Sequence, residues 1–464
     1  LIRLFNRYWS LPAFLSLGVE GPLLFLSVYV GTWIRLVMLG NGHHPPKPIL
    51  TLEGLVFAGV GLLALYINGL YDFGEQISSR IMFVRLLRAF TLASVALWAI
   101  YFLVPEFQIG RGVFALAILN AGTTVTVWRI LLRYVVLSES FAERVLIVGS
   151  GEKAIELARE ILHRKHMGYR IVGFLDDDPK LQGVSLLNPR VIGTTRQCRD
   201  LAMAHGVTRV VVAPGDSRGS ISMDALLACK TSGIRVQEGS SYYEQLTGKI
   251  MVEGLRKSWL IFSDGFVVSP GVLFGKRFLD LTAAGIGLLL AAPLMALVAL
   301  AVRLDSPGPV FFRQERVGRG GRPFILWKFR SMRQDAEAAG ARWAVTDDPR
   351  VTRTGRFIRK TRLDELPQLW NVLVGDMSLV GPRPERDHFV QQLKEKNAFY
   401  EQRLVVRPGL TGWAQVKAPY ASSFEESIEK LKYDLYYIKN ISLFLDVSIL
   451  LSTARIVLLG RGAR

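Results

Sequence analysis

Apolar residues gather along the first third of the chain into four stretches, about Pro12 to Leu39, Leu50 to Tyr71, Leu86 to Val104 and Gly112 to Leu137. Each reaches the roughly 20 residues that cross a hydrocarbon core, so the pattern predicts a four-helix transmembrane bundle over residues 1–140. Arg3 and Arg7 precede the first stretch, Arg80, Arg85 and Arg88 surround the second connection, and Arg129, Arg133 and Arg144 bracket the end of the fourth. The first and third connections carry little positive charge, which puts both ends of the bundle on the cytoplasmic side. The first stretch lacks a small-residue cleavage pattern and reads as a retained anchor. Glu20, inside it, reads as a bundle-facing or interfacial acid with a polar partner.

From Glu143 the pattern changes to short apolar runs alternating with helical periodicity. Arg144 to Val148, Ile171 to Leu175, Arg209 to Val212 and Ile234 to Gln237 read as strands, with a helix from Lys153 to Arg164 between the first two. Alternation of this kind predicts a parallel sheet in a Rossmann-like α/β domain over 141–250. A Gly-x-Gly-x-x-Ala turn, Gly149 to Ala154, follows the first strand, which makes Gly149 and Gly151 possible nucleotide-binding residues. Asp176, Asp177 and Asp178 stand farther on than a ribose-binding acid usually does and run into Pro179 as a turn would. Tight-turn geometry is therefore the favoured reading of both features.

A connector, 251–274, leads to Leu281–Val302, 22 residues without a charge, flanked by Lys276 and Arg277 before and Arg303 after. Basic residues on both flanks give no direction across the membrane, and Pro293 near the centre prevents a straight helix. Both facts predict a re-entrant helix, 278–304, that bends and leaves on the side it entered. The rest of 275–464 is polar, basic and rich in Gly and Pro.

Composition narrows the partners. Half the 464 residues are apolar and the mean hydropathy is +0.27, high for a chain that must cover itself with polar side chains. The net charge of +18 implies an anionic partner. Membrane lipids and phosphorylated small molecules suit a hydrophobic chain; nucleic acid does not. Two cysteines are too few for a disulfide framework or a four-thiolate zinc site.

Arg350, Arg353, Arg356, Arg359 and Arg362 recur every third residue, a basic stripe if helical, and run straight into Leu363-Asp-Glu-Leu-Pro-Gln368. Pro367 is best tolerated in a first helical turn, so Asp364 and Glu365 sit at or just before a helix N-terminus, which favours ionised carboxylates. Adjacent acids in a basic surround suit phosphoryl chemistry, one as nucleophile and both as holders of a divalent cation.

Six motifs then recur in order: Lys276-Arg-Phe-Leu-Asp280, Ser306-Pro-Gly-Pro-Val-Phe-Phe-Arg-Gln-Glu-Arg-Val-Gly318, Trp327-Lys-Phe-Arg-Ser-Met332, the Asp364-Glu365 run, Gly375-Asp-Met-Ser-Leu-Val-Gly-Pro-Arg-Pro384 and Arg407-Pro-Gly-Leu-Thr-Gly-Trp413. Together they resemble the bacterial sugar transferase family, the monotopic phosphoglycosyl transferases, in the large form used for exopolysaccharide and O-antigen assembly. The resemblance implies a catalytic α/β domain at the bacterial inner membrane that moves hexose 1-phosphate from a UDP-hexose onto undecaprenyl phosphate. It implies Asp364 as nucleophile, Glu365 as partner acid with Mg²⁺, and Arg383 in the nucleotide-sugar pocket. Arg330, Arg362 and Arg407 follow as phosphate contacts, and Asp434 as an acid near the metal. Lys276 and Arg277 lie at the membrane surface, meeting the lipid phosphate or anchoring the helix. A homodimer is expected by the same resemblance. The chain departs from the family at Ala292-Pro293, where a Ser usually precedes the proline; Ala cannot satisfy a carbonyl freed in lipid.

Two other classes fit the residues less well. A membrane-bound nucleotide-sugar oxidoreductase of the short-chain type needs a Tyr-x-x-x-Lys pair, and none of the 14 tyrosines has Lys at that spacing. An inactive nucleotide-sensing scaffold has no need to keep Asp364, Glu365 and Arg383 together.

Overall fold

The computed structural model describes residues 2–4, 7–9, 11–38, 50–73, 78–137, 142–213, 222–252, 263, 265–334, 348–418 and 424–458. His43, His44 and most of the expected connector lie outside these residues. The chain divides into two compact units, Tyr8–Thr247 with Leu1–Arg3, and Gly248–Arg464 with Leu4–Arg7.

The first unit opens with helices Leu11–Trp33, Leu50–Ile67, Ser79–Leu103 and Arg111–Leu137. Pro12–Leu36, Ser79–Leu103 and Arg111–Val135 are long and apolar enough to cross a membrane; the second helix is shorter. It stops at Ile67 rather than Tyr71 because the Asn68 side chain bonds the Ala64 carbonyl and Gly69 takes a left-handed φ of 72°. Outward faces carry large apolar side chains such as Trp98 and Phe102, while small residues sit where helices touch. A Cβ on Gly31 would lie 2.9 Å from the Ala117 nitrogen and the Val113 oxygen, so only glycine permits that approach. Glu20 is fully buried, and its carboxylate accepts from the Tyr71 hydroxyl at 2.6 Å and pairs with Arg129 at 2.8 Å. The polar partner expected of it is thus a pair reaching from two other parts of the bundle.

The same unit ends in a five-stranded parallel sheet: β1 Glu143–Val148, β2 Tyr169–Leu175, β3 Val191–Gly193, β4 Arg209–Val212 and β5 Arg235–Glu238, in spatial order 3-2-1-4-5. These are the first five positions of the Rossmann order 3-2-1-4-5-6. Gly149 (φ 106°) makes the turn out of β1, and Gly151 caps helix Glu152–His163. The acids are used by the turns. Asp176 accepts from the Ser150 hydroxyl and the Asp178 amide, Asp177 from the Thr195 amide and hydroxyl, and Asp178 from the Lys180 amide. His166 lies in the turn Lys165–Met167, past the end of helix Glu152–His163, and meets the Phe73 carbonyl at 3.0 Å.

The second unit is led by the 36-residue helix Pro270–Asp305. Ala284 belongs to the unit's main core, with Leu369, Val372, Val380, Leu435 and Tyr437, whereas Val298 and Val302 belong to a second cluster with Phe329 and Ile358. Leu289 and Leu290, between those two anchorages, are more than 70 % exposed. An antiparallel hairpin, Phe311–Val317 with Pro323–Phe329, follows. Strand Ser378–Val380 pairs in parallel with Gly409–Thr411, and helices Phe424–Lys439 and Leu443–Leu458 close the unit.

Candidate functional site

Helix Arg353–Lys360 is started by the Thr352 side chain and ends before Arg362, which turns the chain in the left-handed region (φ 60°). The basic stripe therefore covers one short helix, because Arg350 folds back onto Asp348 at 2.5 Å and Arg362 leaves the helical path. Leu363–Glu365 forms a single tight turn, and Pro367 admits helix Gln368–Val374 directly after it.

This turn separates the fates of the two acids. Glu365 is gripped by cations from three directions: Arg383 Nη2 at 2.9 Å, Lys328 Nζ at 3.4 Å and Arg362 Nη1 at 3.6 Å. Asp364, 8 % exposed, has no hydrogen bond or ion pair among the described residues. Burial and then the Glu365 charge push the Asp364 carboxyl up to about 6, against Lys328, Arg359 and Arg383. Burial also acts to raise Glu365, but Arg383, Lys328 and Arg362 overcome it and hold that carboxyl well below the usual range. Burial, the largest influence on Lys328, lowers its pKa, while Glu365 opposes the shift. An ionised, fixed acid thus stands beside an unpaired one whose charge is costly and whose nucleophilicity is correspondingly raised. Lys328 lies in the Trp327–Met332 motif, and the sequence signal of its role is a lone lysine in an otherwise apolar strand, Pro323–Phe329.

Arg383 and Arg362 both reach the acid pair, through Glu365. Arg330 does not. It is 5 % exposed and donates to the carbonyls of Val302, Ser306 and Pro307, closing the C-terminal end of the long helix. Lys276 is likewise turned inward, to Asp446 and the Val380 carbonyl at 2.8 Å each and to the Tyr437 hydroxyl at 3.1 Å. Arg277 caps helix Gln368–Val374 through the Val372 and Leu373 carbonyls. These three are anchors: unsatisfied carbonyls at helix ends claim Arg330 and Arg277, and a buried acid with a strand carbonyl claims Lys276. Arg407 keeps its guanidinium free of hydrogen bonds and ion pairs among the described residues. Burial, then Arg277 and Arg319, lower its pKa.

Asp434 is 2 % exposed and bonded by Arg403 at 2.9 Å. No group of three or more His, Cys, Asp or Glu side chains able to hold a metal occurs among the described residues, so Asp434 does not join Asp364 and Glu365 in a cage. Two adjacent carboxylates, one without a partner, do fit Mg²⁺, which binds through one or two carboxylates plus substrate phosphates.

Residues 272–460 match the family described as bacterial sugar transferase. An uncharacterized sugar transferase of Bacillus subtilis is 47% identical over 188 residues, 40% of this chain and 89% of that protein. The chain belongs to the bacterial sugar transferase family. The chain is also 47% identical over 239 residues to the UDP-N-acetylgalactosamine-undecaprenyl-phosphate N-acetylgalactosaminephosphotransferase of Aeromonas hydrophila, covering 52% of the chain and 56% of the relative. It is 36% identical over 334 residues to the undecaprenyl-phosphate glucose phosphotransferase of Komagataeibacter xylinus, covering 70% and 61%. The matches thus span little more than half the length of these two curated relatives. In the transferase's other unit, residues 66–214 match the description CoA-binding domain.

Proposed function

We propose that the transferase moves a sugar 1-phosphate from a UDP-sugar to undecaprenyl phosphate, yielding undecaprenyl diphosphate-sugar and UMP. The observation that carries this reading is the contrast within the acid pair: Asp364 unpaired and buried, Glu365 ionised and held by three cations. An Asp364 oxygen attacks the sugar-bearing phosphorus, the bond to the UMP oxygen breaks, and UMP leaves with the electron pair. An oxygen of the lipid phosphate then attacks the same phosphorus, releases Asp364 and restores its charge. Arg383 and Lys328 offset the charge that gathers on the phosphate oxygens. When bound by Asp364 and Glu365, Mg²⁺ supplies further charge neutralisation for the diphosphate. Arg362 and Arg407 are phosphate contacts in this reading.

The relatives' names support the lipid and the reaction class and disagree on the sugar: N-acetylgalactosamine in one, glucose in another. We also place helix Pro270–Asp305 as re-entrant, with the catalytic unit on the cytoplasmic leaflet. The unit holds this helix on both sides of its exposed apolar middle, at Ala284 and at Val298 and Val302, and Pro293 lies between.

The test is UMP release by purified protein with undecaprenyl phosphate, Mg²⁺ and a panel of UDP-hexoses and UDP-N-acetylhexosamines, beside Asp364→Ala. UMP with one sugar, lost in the variant, is the expected result. UMP persisting in the variant overturns the nucleophile, and silence across the panel overturns the reaction.

A further inference from the structure

Proline has no N–H, so the run Pro382-Arg383-Pro384 can be fixed mainly through its carbonyls. Each is held. The Pro382 oxygen accepts from the Gly409 amide at 2.8 Å, the Arg383 oxygen from Arg403 Nη2 at 3.0 Å, and the Pro384 oxygen from Arg316 Nη1 at 2.9 Å. The next oxygen, of Glu385, accepts from the Val317 amide at 3.0 Å.

Arg403 differs from the other donors because it is a buried charge, 8 % exposed, acting at Arg383 itself. A buried cation carries a desolvation cost of several kcal/mol and persists only with a counter-charge and good hydrogen bonds. Asp434 supplies the counter-charge at 2.9 Å, and the Tyr400 hydroxyl accepts from Nη1 with its ring 4.9 Å from the guanidinium. Arg403 Nε, buried, finds no partner among the described residues. A continuous chain of contacts results: Asp434 to Arg403, Arg403 to the Arg383 carbonyl, and the Arg383 side chain to Glu365 at 2.9 Å.

We infer that Arg403, held by Asp434, is a positioning residue that fixes the Arg383 backbone and thereby aims the Arg383 side chain at Glu365 and the donor diphosphate. Asp434 then acts through Arg403 and not on the metal. The kinetic consequence rests on the transferase reading; the structural consequence does not.

Arg403→Lys keeps the charge opposite Asp434 but loses the planar fork that serves Asp434, Tyr400 and the carbonyl together. Asp434→Asn keeps size and an acceptor, and stands in if the lysine variant folds poorly. In the two-substrate reaction, each variant is expected to lower donor kcat/KM about 10- to 100-fold, the size of one charged hydrogen bond, with acceptor kcat/KM changed far less. Arg403→Lys added to Arg383→Lys is expected to cost little more than Arg383→Lys alone. Hydrogen exchange in the peptide spanning residues 379–386 is expected to rise in both variants. Equal losses for donor and acceptor, full additivity with Arg383→Lys, or a raised Mg²⁺ requirement in Asp434→Asn would each overturn the inference. If wild type releases no UMP, the transferase reading fails by itself. Hydrogen exchange then decides the positioning role: unchanged exchange refutes it and increased exchange sustains it.

Discussion

Arg383 and Glu365 meet at 2.9 Å although 18 residues separate them, and the contact joins a proline-stiffened loop to the turn that carries the proposed nucleophile. One guanidinium thus has a share in both the acid pair and the proposed donor pocket. Neutralising Glu365 releases Arg383, Lys328 and Arg362 together. Glu365→Gln is therefore expected to lower donor kcat/KM by about 100-fold or more, as lost preorganised charge typically does, with thermal stability measured alongside. Wild-type kinetics in Glu365→Gln would show that the ionised partner is dispensable.

In the proposed reaction Asp364 attacks only when ionised, so the acid limb of the pH profile is expected to follow it. With its pKa pushed up to about 6, the reactive fraction drops about tenfold per unit as the pH falls below that value, and donor kcat/KM of the free enzyme falls with it. Glu365, held low, adds no second limb. Initial rates collected from about pH 5 to 8 test this; a flat profile rejects it.

Lys328 favours the Asp364 carboxylate and pairs with Glu365. Removing its charge in Lys328→Met pushes the Asp364 carboxyl higher, so the acid limb moves to higher pH. Lys328→Arg, which retains the charge, is expected to keep the limb near its wild-type position. The two profiles, recorded in the same buffer series, distinguish a charge effect from a packing effect.

Arg330 ties off the end of the long helix and touches no acid of the pair. Arg330→Met is expected to reduce stability by on the order of 3 kcal/mol, the scale of charged hydrogen bonds lost to buried carbonyls. Donor kcat/KM per folded molecule should stay within a few-fold of wild type. Gly308→Ala should behave similarly, since φ there is 122° and a Cβ would lie 2.1 Å from Arg330 Nη1. Thermal unfolding in detergent, with activity normalised to folded protein, checks both.

Within the bundle, Glu20→Leu or Arg129→Leu alone leaves a buried charge unpaired, with an expected loss of about 3–5 kcal/mol. The double substitution should recover much of that loss. Folded yield and unfolding midpoint, compared in a double-mutant cycle, give the coupling; additive losses would mean the pair is not a unit.

Much of this architecture was legible because burial writes itself into composition. Strands β1, β2 and β4 are short apolar runs, β5 follows the apolar Ile234, and the sequence places each within two residues of its observed start. Strand β3, three residues at the sheet edge, is too short to show a pattern. Charge was readable, but its direction was not. Arg330 carries the signature of a phosphate ligand and serves carbonyls instead, and Lys276 and Arg277 take the anchoring role of their two readings, because the groups that claim all three come from segments 23 to 170 residues away. Lys328 escaped notice for the converse reason. A single lysine in an apolar strand has no periodic signal, and its meaning appears only when residue 365 is folded against it.

The pair of Glu20 and Arg129 bears on how the protein is made. Glu20 leaves the ribosome 109 residues before its partner, an interval of roughly 5–20 s at ordinary synthesis rates. During that time the first helix carries an acid whose counter-ion has not been translated, so an ionised Glu20 in lipid would be unpaired and costly. The pair is complete only once the fourth helix has emerged. The final form of the earliest helix thereby depends on the latest.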